Sequence, residues 1–166
     1  MAETAKRSTS RKKRKRTSSK RQEFVQYLIR VSSWEYDYAL RAGNPKSSLD
    51  QSAYEELATL TFSGELLQPK VPKFDRVEVT CSGRAGMLDQ TLGDSQLTIG
   101  SAWARDGQLF GYIFAPQERL AELATVAGTG QVQVVCFTGT KLRYRTAEIY
   151  SISISTRVDE EEFRTE

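Results

Sequence analysis

Apolar and polar residues alternate along most of this chain, a pattern typical of β-strands that bury one face. The clearest stretch runs from Gln96 to Ser155 and predicts two hairpins with a helix between them. The alternating positions of the first hairpin are Leu97, Ile99, Ser101 and Trp103 on one strand, then Phe110, Tyr112 and Phe114 on the next. We expect these faces to lie in the core, since large apolar side chains are usually buried.

Local turn and cap signals mark the ends of these elements. Asp106-Gly107 is the strongest hairpin signal in the chain. Pro116 suits the first turn of a helix and Gly128 suits a C-terminal cap, so a helix is predicted over residues 116–127. The second hairpin turn is predicted at Thr138-Gly139-Thr140-Lys141, followed by a strand to Ser155 in which Ala147 and Ile149 indicate either a bulge or burial on both sides.

The first half of the chain adds further strands. Their predicted inward faces are Trp34, Tyr36, Tyr38 and Leu40, then Ala58, Leu60, Phe62, Gly64 and Leu66, then Val77, Val79 and Cys81. Residues 24–31 fit a helical spacing through Phe24 and Leu28 as well as a strand spacing through Val25 and Ile29. The pattern leaves the choice between helix and strand open there. Residues 47–54 and 83–94 are polar or rich in glycine and are predicted as loops.

Short strands joined by polar turns, with a single helix, predict a mainly β protein. We expect an antiparallel sandwich or a partly closed barrel of about seven strands, because a doubly wound parallel sheet needs a helix between most strands. The domain organisation predicted is a disordered basic arm over residues 1–22, one β-rich domain over 23–157 and an acidic C-terminal tail over 158–166.

The charge of the chain is unevenly distributed. Residues 1–21 contain ten basic side chains and one acidic, a net charge of +9. The remaining residues contain fourteen basic and twenty acidic side chains, a net charge of −6, which together give the overall +3. The arm is too poor in apolar residues to offset the chain entropy lost on folding, so it is expected to be disordered on its own.

The residue types present argue against catalysis. The chain has no histidine, which removes the usual acid–base residue near neutral pH and every nucleophile–histidine pair. The two cysteines, Cys81 and Cys136, continue apolar alternations and are predicted to be small buried side chains rather than metal ligands. No glycine-rich phosphate motif is present. We predict a non-enzyme with no catalytic residues, no metal site and no cofactor.

The arm is the strongest functional signal, because a dense run of cations follows a phosphate backbone by counterion release without reading bases. The predicted nucleic-acid-binding residues are Lys6, Arg7, Arg11, Lys12, Lys13, Arg14, Lys15, Arg16, Lys20 and Arg21 in the arm, with Arg143 and Arg145 in the body. Six to eight phosphate contacts on duplex DNA would give a log–log salt slope of roughly −5 to −7. The aromatic strand faces could stack on bases, but Trp34 and Tyr36 alternate with acidic residues, and we predict them as core.

The prediction is therefore a non-catalytic binding module. Its arm contacts nucleic acid or another polyanion without sequence specificity, and its β body contacts a protein partner or a second copy of itself. The alternative is a small soluble interaction or structural protein in which the arm is incidental or a localisation signal. No leader or membrane-spanning segment is evident in the sequence, so a cytoplasmic location is expected, or a nuclear one if the source is eukaryotic.

Overall fold

The structure, a computed structural model, describes residues 23–42, 54–69, 74, 76–84 and 98–157. The predicted disordered arm (1–22) and acidic tail (158–166) lie outside the described residues. Most of the two predicted loops, over residues 47–54 and 83–94, lies outside them as well.

Seven strands form a closed barrel with the neighbour order β1-β2-β3-β5-β4-β7-β6, in which β6 returns to pair with β1. The strands are β1 (Phe24–Ala42), β2 (Tyr54–Gln68), β3 (Arg76–Arg84), β4 (Gly100–Arg105), β5 (Gln108–Phe114), β6 (Val134–Thr140) and β7 (Thr146–Ser155). This confirms the predicted mainly β class and the strand number. The barrel is closed, and it is mixed rather than purely antiparallel because β3 and β5 pair in parallel.

The helix α1 (Gln117–Gly128) lies across one end of the barrel. Its buried residues are Leu120 and Ala127, with Leu123 and Ala124 partly buried, and these four form its apolar stripe. A Cβ on Gly83 of β3 would collide with Gln117, so only glycine lets the helix approach the strand this closely. The residue in the left-handed conformation after the helix is Gly130, with φ of 70°, rather than the predicted Gly128.

The strand β1 resolves the ambiguity over residues 24–31, which are extended and continue without a break to Ala42. A bulge at Ser32 shifts the register against β2, so that Val31 lies opposite Gly64 and Ser33 opposite Ser63. The bulge changes which alternate residues face inward. This is why Ile29, before the bulge, and Tyr36, after it, both pack on the core although their positions differ in parity.

The predicted inward faces of β2 and β3 are confirmed. Leu60, Phe62 and Val79 are fully buried, and Ala58, Val77 and Cys81 are nearly so.

The predicted inward faces of β4 and β5 are wrong, and so is the predicted burial of Cys136 in β6. In β5 the core residues are Leu109, Gly111 and Ile113, so Phe110, Tyr112 and Phe114 point outward. In β4, Ala102 is buried while Trp103 is 37% exposed. In β6, Val135 and Phe137 face the core, and Cys136 lies half-buried on the outside.

The physical reason is that both faces of these strands are apolar, so alternation cannot choose between them. The space inside the barrel decides which face of β5 turns inward. At Gly111 a Cβ would lie 3.5 Å from Val79 and 3.8 Å from Ile149, which leaves no room for an aromatic ring.

The second hairpin turn is also misplaced in the prediction. Gly139 and Thr140 lie inside β6, and the chain turns instead at Tyr144 and Arg145. The glycine is needed for close approach, because a Cβ at Gly139 would lie 2.5 Å from the Glu148 carbonyl oxygen. Of the two alternatives expected for the last strand, the structure has the bulge, as the register shift between Thr138 and Gly139 against β7 shows.

Candidate nucleic-acid interface

The end of the barrel opposite α1 is held in place by a buried tyrosine. Tyr27 on β1 is 1% exposed and stacks on Phe137 with ring centroids 4.7 Å apart. Its phenol donates a hydrogen bond to the Thr140 carbonyl and accepts one from the Leu142 backbone N–H, each 3.1 Å long. Burial raises the pKa of Tyr27, and the hydrogen bond from Leu142 lowers it in part. The corner between β6 and the following turn is thus fixed from the core outward.

This corner carries a tight basic turn over residues 143–146. Arg143 and Thr146 exchange two backbone hydrogen bonds of 2.9 Å, and the two residues between them, Tyr144 and Arg145, have φ of 51° and 70°. Positive φ at both central positions is the geometry of a type I′ hairpin turn, where glycine or asparagine is usual. Tyr144 is 99% exposed, and its neighbours Arg143 and Arg145 are exposed as well.

A second turn lies beside the first. The Arg145 carbonyl accepts a hydrogen bond of 2.8 Å from the Ala104 backbone N–H, which joins the basic turn to the end of β4. There the predicted Asp106-Gly107 turn is confirmed, with φ of 49° and 77°. Arg105, Arg145 and Phe74 line a surface cleft of about 410 Å³ between the two turns. The cleft therefore has two guanidinium groups and one aromatic ring on its walls.

An adjoining cleft extends this surface around the barrel. It has a volume of about 500 Å³ and shares Phe74 with the first, adding Arg30 and Arg76. Several cations of this end are already paired: Arg30 with Glu65 at 4.0 Å, Arg105 with Asp106 at 3.1 Å and Lys141 with Glu23 at 3.3 Å. Arg76, Arg143 and Arg145 have no acidic partner within 4.0 Å in the described part of the chain. Those three remain available for an external anion.

The root of the arm lies at this same end. Glu23, the first described residue, accepts a backbone hydrogen bond of 3.1 Å from Lys141 as well as the ion pair to its side chain. Lys141 precedes Arg143 by two residues. The basic segment that ends at residue 22 is therefore attached next to the basic turn. We call Arg143, Tyr144 and Arg145 the arginine turn.

An aromatic surface borders these turns on the outside of β4 and β5. Trp103 stacks on Phe110 with ring centroids 5.8 Å apart, and Tyr112 meets Phe114 edge to face at 5.4 Å. The pair Trp103–Phe110 lies two residues from the hairpin turn that carries Arg105. Partly exposed rings beside cations are the combination on which bases of single strands stack.

The predicted site residues are distributed as follows. Arg143 and Arg145 lie together at the barrel end, whereas the ten arm cations fall outside the described residues. Sequence reasoning missed Phe74, Arg76 and Arg105, which come from separate stretches and converge only through the barrel. Nothing in their local sequence marks them, apart from the turn signal that follows Arg105.

The described residues also include carboxylates and two cysteine thiols. Among them no group of three or more acidic, cysteine or histidine side chains is placed to hold a metal ion. Burial raises the pKa of the Cys81 thiol to about 12, so it is a poor nucleophile. Burial also raises the pKa of Cys136, against a smaller opposing effect of the Ser153 hydroxyl. The barrel end presents exposed cations and aromatic rings.

In comparisons with known proteins, no family, no curated protein and no solved structure matches this chain. In the described part of the chain, no helix has the length and apolar character needed to cross a membrane.

Proposed function

We propose that this protein is a non-catalytic module that binds nucleic acid through its basic arm and the arginine turn acting together. The observation that carries the proposal is the contact between Glu23 and Lys141, which attaches the arm beside Arg143 and Arg145. Ten cations in residues 1–21 then share one anchoring point with the unpaired guanidinium groups of the turn.

Tethering makes the two parts act on one strand. An extended arm of this length reaches roughly 70 Å from its root, and a phosphate backbone held by the arm is kept at high local concentration near the turn. The arm supplies affinity that depends on charge and carries no base preference. The β-rich domain over residues 23–157 has thirteen basic and fifteen acidic side chains, a net charge of −2, so the contact on the barrel is a restricted one at this end.

The exposed ring at the centre of the turn favours single strands over duplexes. Tyr144 is 99% exposed, and it lies between two cations that can hold the flanking phosphates. A base stacked on such a ring contributes about 1–3 kcal/mol, and bases are free to stack only where they are unpaired.

The test is fluorescence anisotropy on a labelled single strand and a duplex of equal length at about 50 and 200 mM salt. Replacing the six cations of residues 11–16 by glutamine is expected to remove most binding to both. Replacing Arg143 and Arg145 by alanine removes two phosphate contacts, so the log–log salt slope falls in magnitude by roughly 1.5. Tyr144→Ala is expected to weaken single-strand binding roughly 5- to 100-fold and leave the duplex unchanged.

Arg119→Ala is the matched control, because Arg119 is an exposed cation on α1 at the opposite end of the barrel. It is expected to bind both probes as the unaltered protein does. Equal binding by the unaltered and arm-neutralised chains contradicts the proposal, as does the absence of binding by either. In the second case the alternative of a partner-binding protein with an incidental arm is favoured.

A further inference from the structure

One edge of the barrel is left open by β1. Its first residues, Phe24–Arg30, pair with β6, but beyond them β1 pairs only with β2 among the described residues. Residues 33–42 therefore present a run of backbone N–H and C=O groups on one side with no strand partner in the described part of the chain. Open edges of this kind pair readily with another strand.

The open segment is also apolar on one face. Trp34, Tyr38 and Leu40 were predicted as core, and Tyr36 does pack on it, but the others are 39%, 54% and 55% exposed. Trp34 and Tyr38 lie opposite Phe62 and Ala58 of β2. The helix α1 reaches this face at Trp34, near Gly128, and at Glu56, which lies opposite Leu40 and accepts a hydrogen bond of 2.8 Å from Gln117. The segment therefore extends the inner face of the barrel past the helix and stays exposed at Tyr38 and Leu40. It lacks proline and lysine, the residues that usually protect an edge.

We propose that a second copy of this chain pairs with residues 34–42 of β1 in antiparallel fashion about a two-fold axis. In an antiparallel pair, opposed side chains share a face. A two-fold axis must therefore pass through a residue rather than between two residues, so only a few registers are possible.

The charges select one of these registers. Centred on Tyr38, the pairing places Glu35 opposite Arg41 of the second copy, and the two-fold axis repeats this ion pair. A centre on Asp37 would oppose two aspartates, and a centre on Tyr36 would oppose Glu35 and Asp37. Like charges directly opposite each other destabilise a sheet. With the axis at Ala39, Asp37 lies opposite Arg41 of the second copy. That register pairs only residues 36–42, two residues fewer than the register centred on Tyr38.

The same register matches the apolar face. Tyr36 lies opposite Leu40 of the second copy, and the two Tyr38 rings meet at the axis. Aromatic and aliphatic pairs of this kind stabilise neighbouring strands. The exposed side chains of Tyr38 and Leu40 are thereby partly covered by their neighbours across the axis. The contact is small for an interface between proteins, so a dissociation constant on the order of micromolar is expected.

Sedimentation velocity on the full chain tests the proposal, over a range of about 1 to 200 µM that brackets such a constant. The mass is expected to rise from 18.7 kDa towards twice that value. Arg41→Glu places like charges opposite each other and is expected to weaken the dimer roughly tenfold or more. Adding Glu35→Arg to Arg41→Glu restores opposite charges in the reversed sense, so it is expected to recover the dimer. Tyr38→Lys is expected to abolish it.

The control is Arg143→Glu, which makes the same charge change at the other end of the barrel and is expected to leave the dimer intact. Circular dichroism establishes that every variant is folded. A mass of 18.7 kDa at all concentrations overturns the proposal. So does a dimer that Tyr38→Lys and Arg41→Glu leave unchanged, which would indicate association through the arm or another surface. Rescue of Arg41→Glu by Asp37→Arg instead of Glu35→Arg would overturn the register centred on Tyr38.

Discussion

The Tyr27 hydroxyl connects the core to the arginine turn. It sits among buried rings and makes both of its hydrogen bonds to the backbone of the corner at Thr140 and Leu142. Removing the hydroxyl leaves a carbonyl and an N–H without their partner in a partly buried place.

We therefore expect Tyr27→Phe to lower the free energy of unfolding by about 1–3 kcal/mol, measured by urea denaturation. Tyr36→Phe is a suitable comparison, since Tyr36 is half-buried and its hydroxyl makes no hydrogen bond among the described residues. That variant is expected to unfold as the unaltered protein does. Equal stability of the two variants would show that the Tyr27 hydrogen bonds contribute nothing.

Cys81 gives the stability of the barrel a dependence on alkaline pH. Burial raises the pKa of its thiol from 9.0 to about 12, so the folded protein holds the proton more tightly than the unfolded chain. The stabilisation this provides is complete below pH 9.0 and is lost as the pH rises towards 12. The melting temperature is expected to fall over that window, and less steeply in Cys81→Ala. Parallel curves for the two proteins would contradict this.

Thiol labelling of the native protein provides an independent measurement. Cys136 lies half-buried on the outside of β6, whereas Cys81 is enclosed in the core. A disulfide reagent near neutral pH is expected to modify Cys136 much faster than Cys81, because the thiolate is the reacting species and access is required as well. Equal rates would mean that β3 opens as readily as β6.

At the scale of single elements, two glycines near the C-terminal end of α1 have different structural roles. Gly128 is the last helical residue, and a Cβ there would meet Trp34 at 3.9 Å, an ordinary contact. Gly130 has open space around it but φ of 70°, which side chains other than glycine rarely adopt.

We expect Gly128→Ala to stabilise the protein by about 0.5–1 kcal/mol, since alanine loses less backbone entropy in a helix. Gly130→Ala is the paired substitution and is expected to destabilise it by about 1–2 kcal/mol. Thermal melts of the two variants should shift in opposite directions. A shift in the same direction would show that packing, rather than backbone conformation, decides both positions.

The elements that could be predicted from sequence are those specified by adjacent residues. The Asp106-Gly107 turn and the helix after Pro116 depend on local chemistry, and both were found within a residue of their expected ends. The faces of β4, β5 and β6 could not be predicted, because Leu109 and Phe110 are equally apolar and the choice between them depends on the space inside the closed barrel. The same limit applies to the turn at Tyr144, where no glycine marks the positive φ.

At the scale of the whole molecule, the candidate site depends on closure of the barrel. Arg143 and Arg145 could be named from the sequence because they flank a tyrosine. Phe74, Arg76 and Arg105 could not, since they join the turn only after β3 has paired in parallel with β5 and β4 with β7. Strands that pair in parallel are not joined by a tight turn, so no turn motif in the sequence predicts the pairing of β3 with β5.

If both proposals hold, the dimer carries two basic arms and its affinity depends on strand length. A single strand of about 40 nucleotides can engage both arms, whereas one of about 10 can engage only one. We expect the longer strand to bind at least tenfold more tightly after correction for the number of sites. Arg41→Glu is expected to remove that advantage while leaving binding to the short strand unchanged, as anisotropy can measure.

The pairing of β1 with β6 has a consequence for how the chain folds as it is made. The hydrogen bond from Tyr27 to Thr140 joins residues 113 positions apart. At about 5–20 residues per second, a ribosome needs on the order of ten seconds to make the intervening segment. During that interval β1 and β2 can form a ribbon, but the edge reserved for β6 is empty. Once β3 has paired with β2, the nascent chain spends the rest of that interval with the free edge of β1 exposed to other chains, and chaperone dependence is expected to be greatest before β6 emerges.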